Sequence, residues 1–123
     1  MVKGIGVDII ELSRFKKTVE KWGNEFLDKI FTEKELEYSR SKAYQLQHFA
    51  ARFAVKEAVA KALAKGWSGG FRWKDVEVEN DATGKPKVIV HGHLKNLLID
   101  KEVLISISHS ENVVIAFAVI ESK

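Results

Sequence analysis

The chain has 123 residues, 46% hydrophobic and 30% charged, enough for one domain with a sizeable core. It holds no cysteine and one proline, which excludes a disulfide scaffold, an iron–sulfur cluster, a thiolate zinc site, a cysteine nucleophile and a proline-rich linker. The net charge of +3 is uneven: residues 1–74 carry 15 Lys/Arg against 9 Asp/Glu, residues 75–123 carry 5 against 8, and a basic first half calls for an anionic partner.

Met1–Asp8 reads as a strand with Val2, Ile5 and Val7 as its apolar residues, while Gly4 and Gly6 leave one side bare for close approach of another backbone. Leu12, Phe15, Val19 and Trp22 fall on one helical stripe that Gly23 ends, and a second short helix is expected over Asn24–Ile30. Thr32 precedes Glu35 by three, a capping-box signature for a helix over 33–40. Ala43–Lys65 is alanine-rich and free of helix breakers, and Gly66 is its natural stop before the loop to Gly70. Strands are expected at Val76–Asn80, Lys87–Val90, Val103–His109 and Val113–Ile120, with a turn at Asp81–Pro86 and a short helix over His93–Ile99. This order predicts a single α+β domain over residues 1–123: an antiparallel sheet packed against one long central helix, with short N-terminal helices. No segment approaches about 18 consecutive apolar residues and no basic stretch precedes an apolar run near the start, so a cytoplasmic protein without a membrane span is expected.

Several polar residues sit where they need a reason. On a helical wheel Glu57 lies about 20° from Leu46, inside the apolar stripe of Leu46, Phe49, Ala50 and Phe53. A carboxylate there needs compensation, and Lys61, one turn on, supplies part of it. Two readings follow: a surface Glu–Lys pair, or a carboxylate facing a cleft, where it holds a metal or acts as a base. Asp8 ends the first strand and is either a turn or cap residue or a metal ligand. Two isolated carboxylates among basic residues suit Mg²⁺, which takes few protein ligands and fills its shell with phosphate oxygens and water. Ser106-Ile107-Ser108-His109-Ser110 is a polar strand end or a phosphate-binding one, and no G-x-S-x-G elbow supports a Ser–His nucleophile. Arg14, Lys17 and Lys21 share a face of the first helix, as a solvated face or as a dock for an acidic partner. Arg52, Lys56, Lys61 and Lys65 are within reach of phosphates. A nucleic-acid module is the competing class, but it would interleave exposed aromatics with its basic residues, whereas Phe49 and Phe53 fall in a core stripe.

Gly4-Ile5-Gly6-Val7-Asp8-Ile9-Ile10-Glu11 resembles the first motif of the 4′-phosphopantetheinyl transferases, and Arg52-Phe53-Ala54-Val55-Lys56-Glu57-Ala58-Val59-Ala60-Lys61 resembles their F-x-x-K-E-x-x-x-K motif. With Gly84-Lys85-Pro86 and the late Ser-Ile-Ser-His-Ser, the resemblance to the small bacterial holo-[acyl-carrier-protein] synthases spans nearly the whole chain. It implies Mg²⁺-dependent transfer of the phosphopantetheine arm of coenzyme A to a serine of apo acyl carrier protein, with release of adenosine 3′,5′-bisphosphate. It further implies Asp8 and Glu57 as metal ligands and Lys61 as a contact to the phosphates, these three being the catalytic set. Glu57 is the candidate base, directly or through a metal-bound water. Coenzyme A contacts are implied at Arg52, Lys61, Gly66, Lys85, Pro86, Ser108, His109 and Ser110, and carrier-protein docking at Arg14, with Lys17 and Lys21 beside it. A homotrimer with sites between subunits, and no nucleic-acid or membrane partner, completes the expectation.

Overall fold

The computed structural model describes residues 1–63 and 71–123, so Lys65 and Gly66 and the expected loop to Gly70 lie outside the described residues. Strands β1 (Val2–Glu11), β5 (Val113–Ser122) and β4 (Lys101–His109) form one antiparallel sheet in the order β1-β5-β4. Strands β2 (Val76–Asn80) and β3 (Pro86–Val90) form a separate antiparallel pair. The turn joining that pair is held by Asp81, whose Oδ1 accepts from Thr83 N at 2.8 Å and Lys85 N at 3.0 Å, with Gly84 supplying the positive φ of 87°.

The helices are α1 (Leu12–Ile30), α2 (Glu33–Arg40), α3 (Gln45–Ala62) and α4 (Gly92–Leu97). The expected N-terminal helices are present as α1, which is two helical segments joined across a kink; its total of 19 residues against 18 for α3 means that length does not single out one long central helix. The break expected at Gly23 is present inside α1, where that residue has φ 57° and ψ −139°. Trp22, expected in the apolar stripe, is instead 53% exposed. The capping box is formed as expected: Thr32 Oγ1 accepts from Glu35 N, and Glu35 Oε1 accepts from Thr32 N at 3.0 Å.

Helix α3 carries the core. Ala50, Ala54, Val55, Ala58 and Val59 are fully buried, and Val114, Ala116 and Ala118 of β5 are buried with them. Lys56 is also fully buried, in an ion pair of 2.8 Å with Glu35 of α2. Its Nζ donates further to the carbonyls of Trp73 and Val76, and Val78 N donates to Glu35 Oε2 at 2.9 Å. This network ties α2, α3 and β2 together, with each carboxylate oxygen and the ammonium partnered. The sequence-based reading of Lys56 as a phosphate contact is thereby corrected, because its charge points into the core.

Candidate active site

The site begins with the two glycines of β1. Alternation along the strand puts Gly4, Gly6 and Asp8 on the face toward α3 and Ile5, Val7 and Ile9 on the other. A Cβ on Gly4 would stand 2.0 Å from Ala62 O, and one on Gly6 1.9 Å from Ala58 O. Strand and helix backbones therefore touch, which only glycine permits. Two residues further along β1, Asp8 meets the side chains that α3 projects at the same level.

Lys61 Nζ lies 2.9 Å from Asp8 Oδ1 and donates also to Val7 O at 3.1 Å. The local Glu57–Lys61 pair read from the helical wheel is replaced by this longer-range one. Lys61 is 53% exposed at its side chain and Asp8 13%, and Asp8 Oδ2 is buried without a hydrogen-bond partner among the described residues. Glu57 is half-buried beside them. Burial pushes its carboxyl pKa up, the Asp8 carboxylate adds to that, and Lys61 counters it. An orphan carboxylate oxygen next to a second carboxylate that resists ionisation is a donor set that a divalent cation would satisfy.

The nucleotide-side candidates sit around the start of α3. Arg52 is 3% exposed; its Nη2 donates to Asn80 Oδ1 at 2.6 Å and its guanidinium lies 4.2 Å from the centroid of the Tyr38 ring. His109 and Ser110, both exposed, line a groove with Lys16, Tyr44 and Gln47, and exposed Ser108 stands opposite Ile115 on β5. Lys85 and Pro86 line a different groove, between β3 and β4, so one copy of the chain does not gather all the proposed coenzyme A contacts in one cavity. Arg14, Lys17 and Lys21 are exposed along α1, and Lys21 Nζ stands 5.2 Å over the ring of Trp22.

The model of the 4′-phosphopantetheinyl transferase superfamily matches residues 4–118. A holo-[acyl-carrier-protein] synthase of Thermodesulfovibrio yellowstonii is 48% identical over 120 residues, covering 98% of this chain and 99% of that one. The chain belongs to the 4′-phosphopantetheinyl transferase superfamily.

Solved members of the superfamily share its fold. The Neisseria meningitidis holo-[acyl-carrier-protein] synthase superposes with a TM-score of 0.89 at 33% identity, covering 99% of this chain and 100% of that one. The Bacillus anthracis enzyme, solved in complex with coenzyme A (3′,5′-ADP), gives 0.84 at 37% identity over 100% of this chain and 99% of that one. Within the second motif the three charged residues Lys56, Glu57 and Lys61 have separate fates: one is in the core and two are at the site. Sequence reasoning missed Tyr38 and Lys42, whose ring and ammonium join Arg52. Their only sequence signal is a tyrosine followed four residues later by a lysine at a helix end.

Proposed function

We propose that this protein transfers the 4′-phosphopantetheine group of coenzyme A to a serine of apo acyl carrier protein, releasing adenosine 3′,5′-bisphosphate, in the cytoplasm and in the service of fatty acid synthesis. The whole chain acts as one transferase domain. The observation that carries the reading is the Asp8, Glu57 and Lys61 cluster: two carboxylates and a half-exposed ammonium, on the two motifs of the superfamily.

In the reaction the serine oxygen bonds to the phosphorus that carries the pantetheine arm, and the bond from that phosphorus to the adenosine 5′-phosphate oxygen breaks. Glu57 takes the serine proton, a role its raised pKa suits. Lys61 stands where negative charge grows on the phosphate oxygens, held by Asp8 and the Val7 carbonyl. Asp8, through its orphan oxygen, and Glu57 would hold Mg²⁺, which when bound would supply positive charge to offset that growing on the phosphates.

Arg52, His109, Ser108 and Ser110 take the nucleotide end of coenzyme A, and Lys61 contacts its phosphates. The Lys85–Pro86 turn reaches the site from a neighbouring copy in a homotrimer. Supporting that assembly, the face of the three-stranded sheet turned away from α3 is apolar and open: Ile5 is 58% exposed, Ile9 59% and Phe117 40%. Arg14, Lys17 and Lys21 steer the acidic carrier protein to the site. The test is incubation with apo acyl carrier protein, coenzyme A and Mg²⁺, followed by intact mass. A gain of one phosphopantetheine per carrier is expected, and no gain on any apo carrier protein would overturn the reading.

A further inference from the structure

We propose that Tyr38 is a positioning residue whose ring holds the Arg52 and Lys42 cations at the nucleotide end of coenzyme A without neutralising them. The proposal rests on the reading that Arg52 and His109 face that nucleotide.

A cation as buried as Arg52, 3% exposed, is ordinarily paired with a carboxylate. Among the described residues neither Arg52 nor Lys42 has a carboxylate within salt-bridge distance. The Arg52 guanidinium donates to the neutral Asn80 Oδ1 and hydrogen-bonds the Tyr38 side chain, and Arg52 Nε is buried without a hydrogen-bond partner among the described residues. What both cations share is Tyr38. The Arg52 guanidinium lies 4.2 Å from its ring centroid and Lys42 Nζ 4.6 Å. His48, one helical turn before Arg52, meets the same ring edge-on at 5.6 Å and 78°.

Two of the nearby carboxylates are otherwise engaged. Glu35 is paired with Lys56, and Glu77 accepts from Thr32 Oγ1 and faces His91 Nε2 at 3.0 Å. Glu79, which lines the groove with Arg52, makes no ion pair among the described residues. The charges that act on His48 are positive: its pKa is lowered by burial and then by Arg52, Lys42 and His109, while Arg52 itself also feels the Glu35 carboxylate that Lys56 pairs. A π face attracts cations through its quadrupole but carries no net charge. It therefore fixes the two side chains and leaves their charge for a phosphate, which a carboxylate at the same place would cancel.

Calorimetric titration of the full-length protein with adenosine 3′,5′-bisphosphate tests this directly. Tyr38→Leu should weaken binding about 5- to 30-fold, and Tyr38→Phe, which keeps the ring and loses only the hydroxyl bonded to Arg52, should stay closer to wild type than to the leucine variant. Tyr38→Glu, which supplies a neutralising partner and serves if the leucine variant does not fold, should also weaken it. In turnover, the leucine change should raise KM for coenzyme A by a similar factor, with a far smaller change in kcat and none in KM for the carrier protein. Equal affinities in all variants, a phenylalanine variant as weak as leucine, equal rises in both KM values, or no bisphosphate binding by wild type would each overturn the proposal. Intact binding without transfer would instead sink the transferase reading and leave the role of Tyr38 standing.

Discussion

Two lysines five residues apart on α3 make ion pairs of nearly equal length, 2.8 Å for Lys56 with Glu35 and 2.9 Å for Lys61 with Asp8, and their surroundings make them different objects. The first pair has no exposure at either side chain, and both oxygens of Glu35 are also bonded to backbone N–H groups. The second is 53% and 13% exposed, and one oxygen of Asp8 has no partner among the described residues. A saturated, dry pair has no lone pair or proton to give without stranding a buried charge. An unsaturated pair at the rim has an oxygen to spare and water within reach. Saturation, rather than distance, separates the pair that holds shape from the pair proposed to do chemistry.

The contrast predicts opposite responses to mutation. Lys56→Met should have the largest effect on the fold, about 3–5 kcal/mol of stability, because it leaves Glu35 buried without its cation. A urea midpoint that scarcely moves would erase the distinction. Adding Glu35→Leu should recover part of the loss, which makes the coupling measurable as a double-mutant cycle. Asp8→Asn should do the reverse, lowering the rate of transfer by about 10²–10³-fold while stability changes by less than about 1 kcal/mol. Comparable losses of stability at both positions would show that the rim pair is structural too.

Gly6→Ala tests the distance between the two backbones. Its Cβ would meet Ala58 O at 1.9 Å, so a loss of about 1–3 kcal/mol is expected, with a fall in transfer as Asp8 shifts from Glu57. Wild-type stability without a change in rate would mean that β1 is free to move on α3. The smallest effect is a pH dependence. Glu57 has a raised pKa in the fold, so the folded chain holds its proton more tightly than the unfolded one. Its contribution is full at acid pH below the ordinary carboxylate value and is lost as pH rises through the raised one. The stability of wild type relative to Glu57→Gln should fall across that window, read from urea midpoints at several pH values. Transfer by wild type should decline as pH is lowered, as the proposed base takes up its proton. A flat stability difference would place Glu57 outside the cluster.

The features legible in the sequence are those encoded within a few residues. Thr32 and Glu35 announce the capping box, Gly23 the break in α1, and Asp81 to Pro86 the turn. Glu57 betrays itself by lying in an apolar stripe, and Asp8 by ending a strand. Partners remote in sequence leave no such mark. Glu35 shows its local role as a cap, but its second oxygen reaches Val78, 43 residues away. Lys61 reads locally as the partner of Glu57, whereas a strand 53 residues earlier claims it through Asp8. The alternation of β1 is visible, but its sense is the reverse of the usual one: the glycine side faces the helix and the branched residues face outward, Val7 at 52% exposure. Close backbone contact outweighs side-chain burial on that strand.

The atoms that Gly4 and Gly6 approach are carbonyl oxygens of α3, not side chains. The spacing that brings Asp8 to Glu57 and Lys61 is thus written in main chain on both sides. Side chains on α3 and β1 that take no part in that contact can be exchanged without rewriting it. The reactive geometry inherits the tolerance of a scaffold whose critical seam has no side chain of its own on the strand, and its vulnerability is concentrated in two positions where adding a single carbon is the whole of the damage.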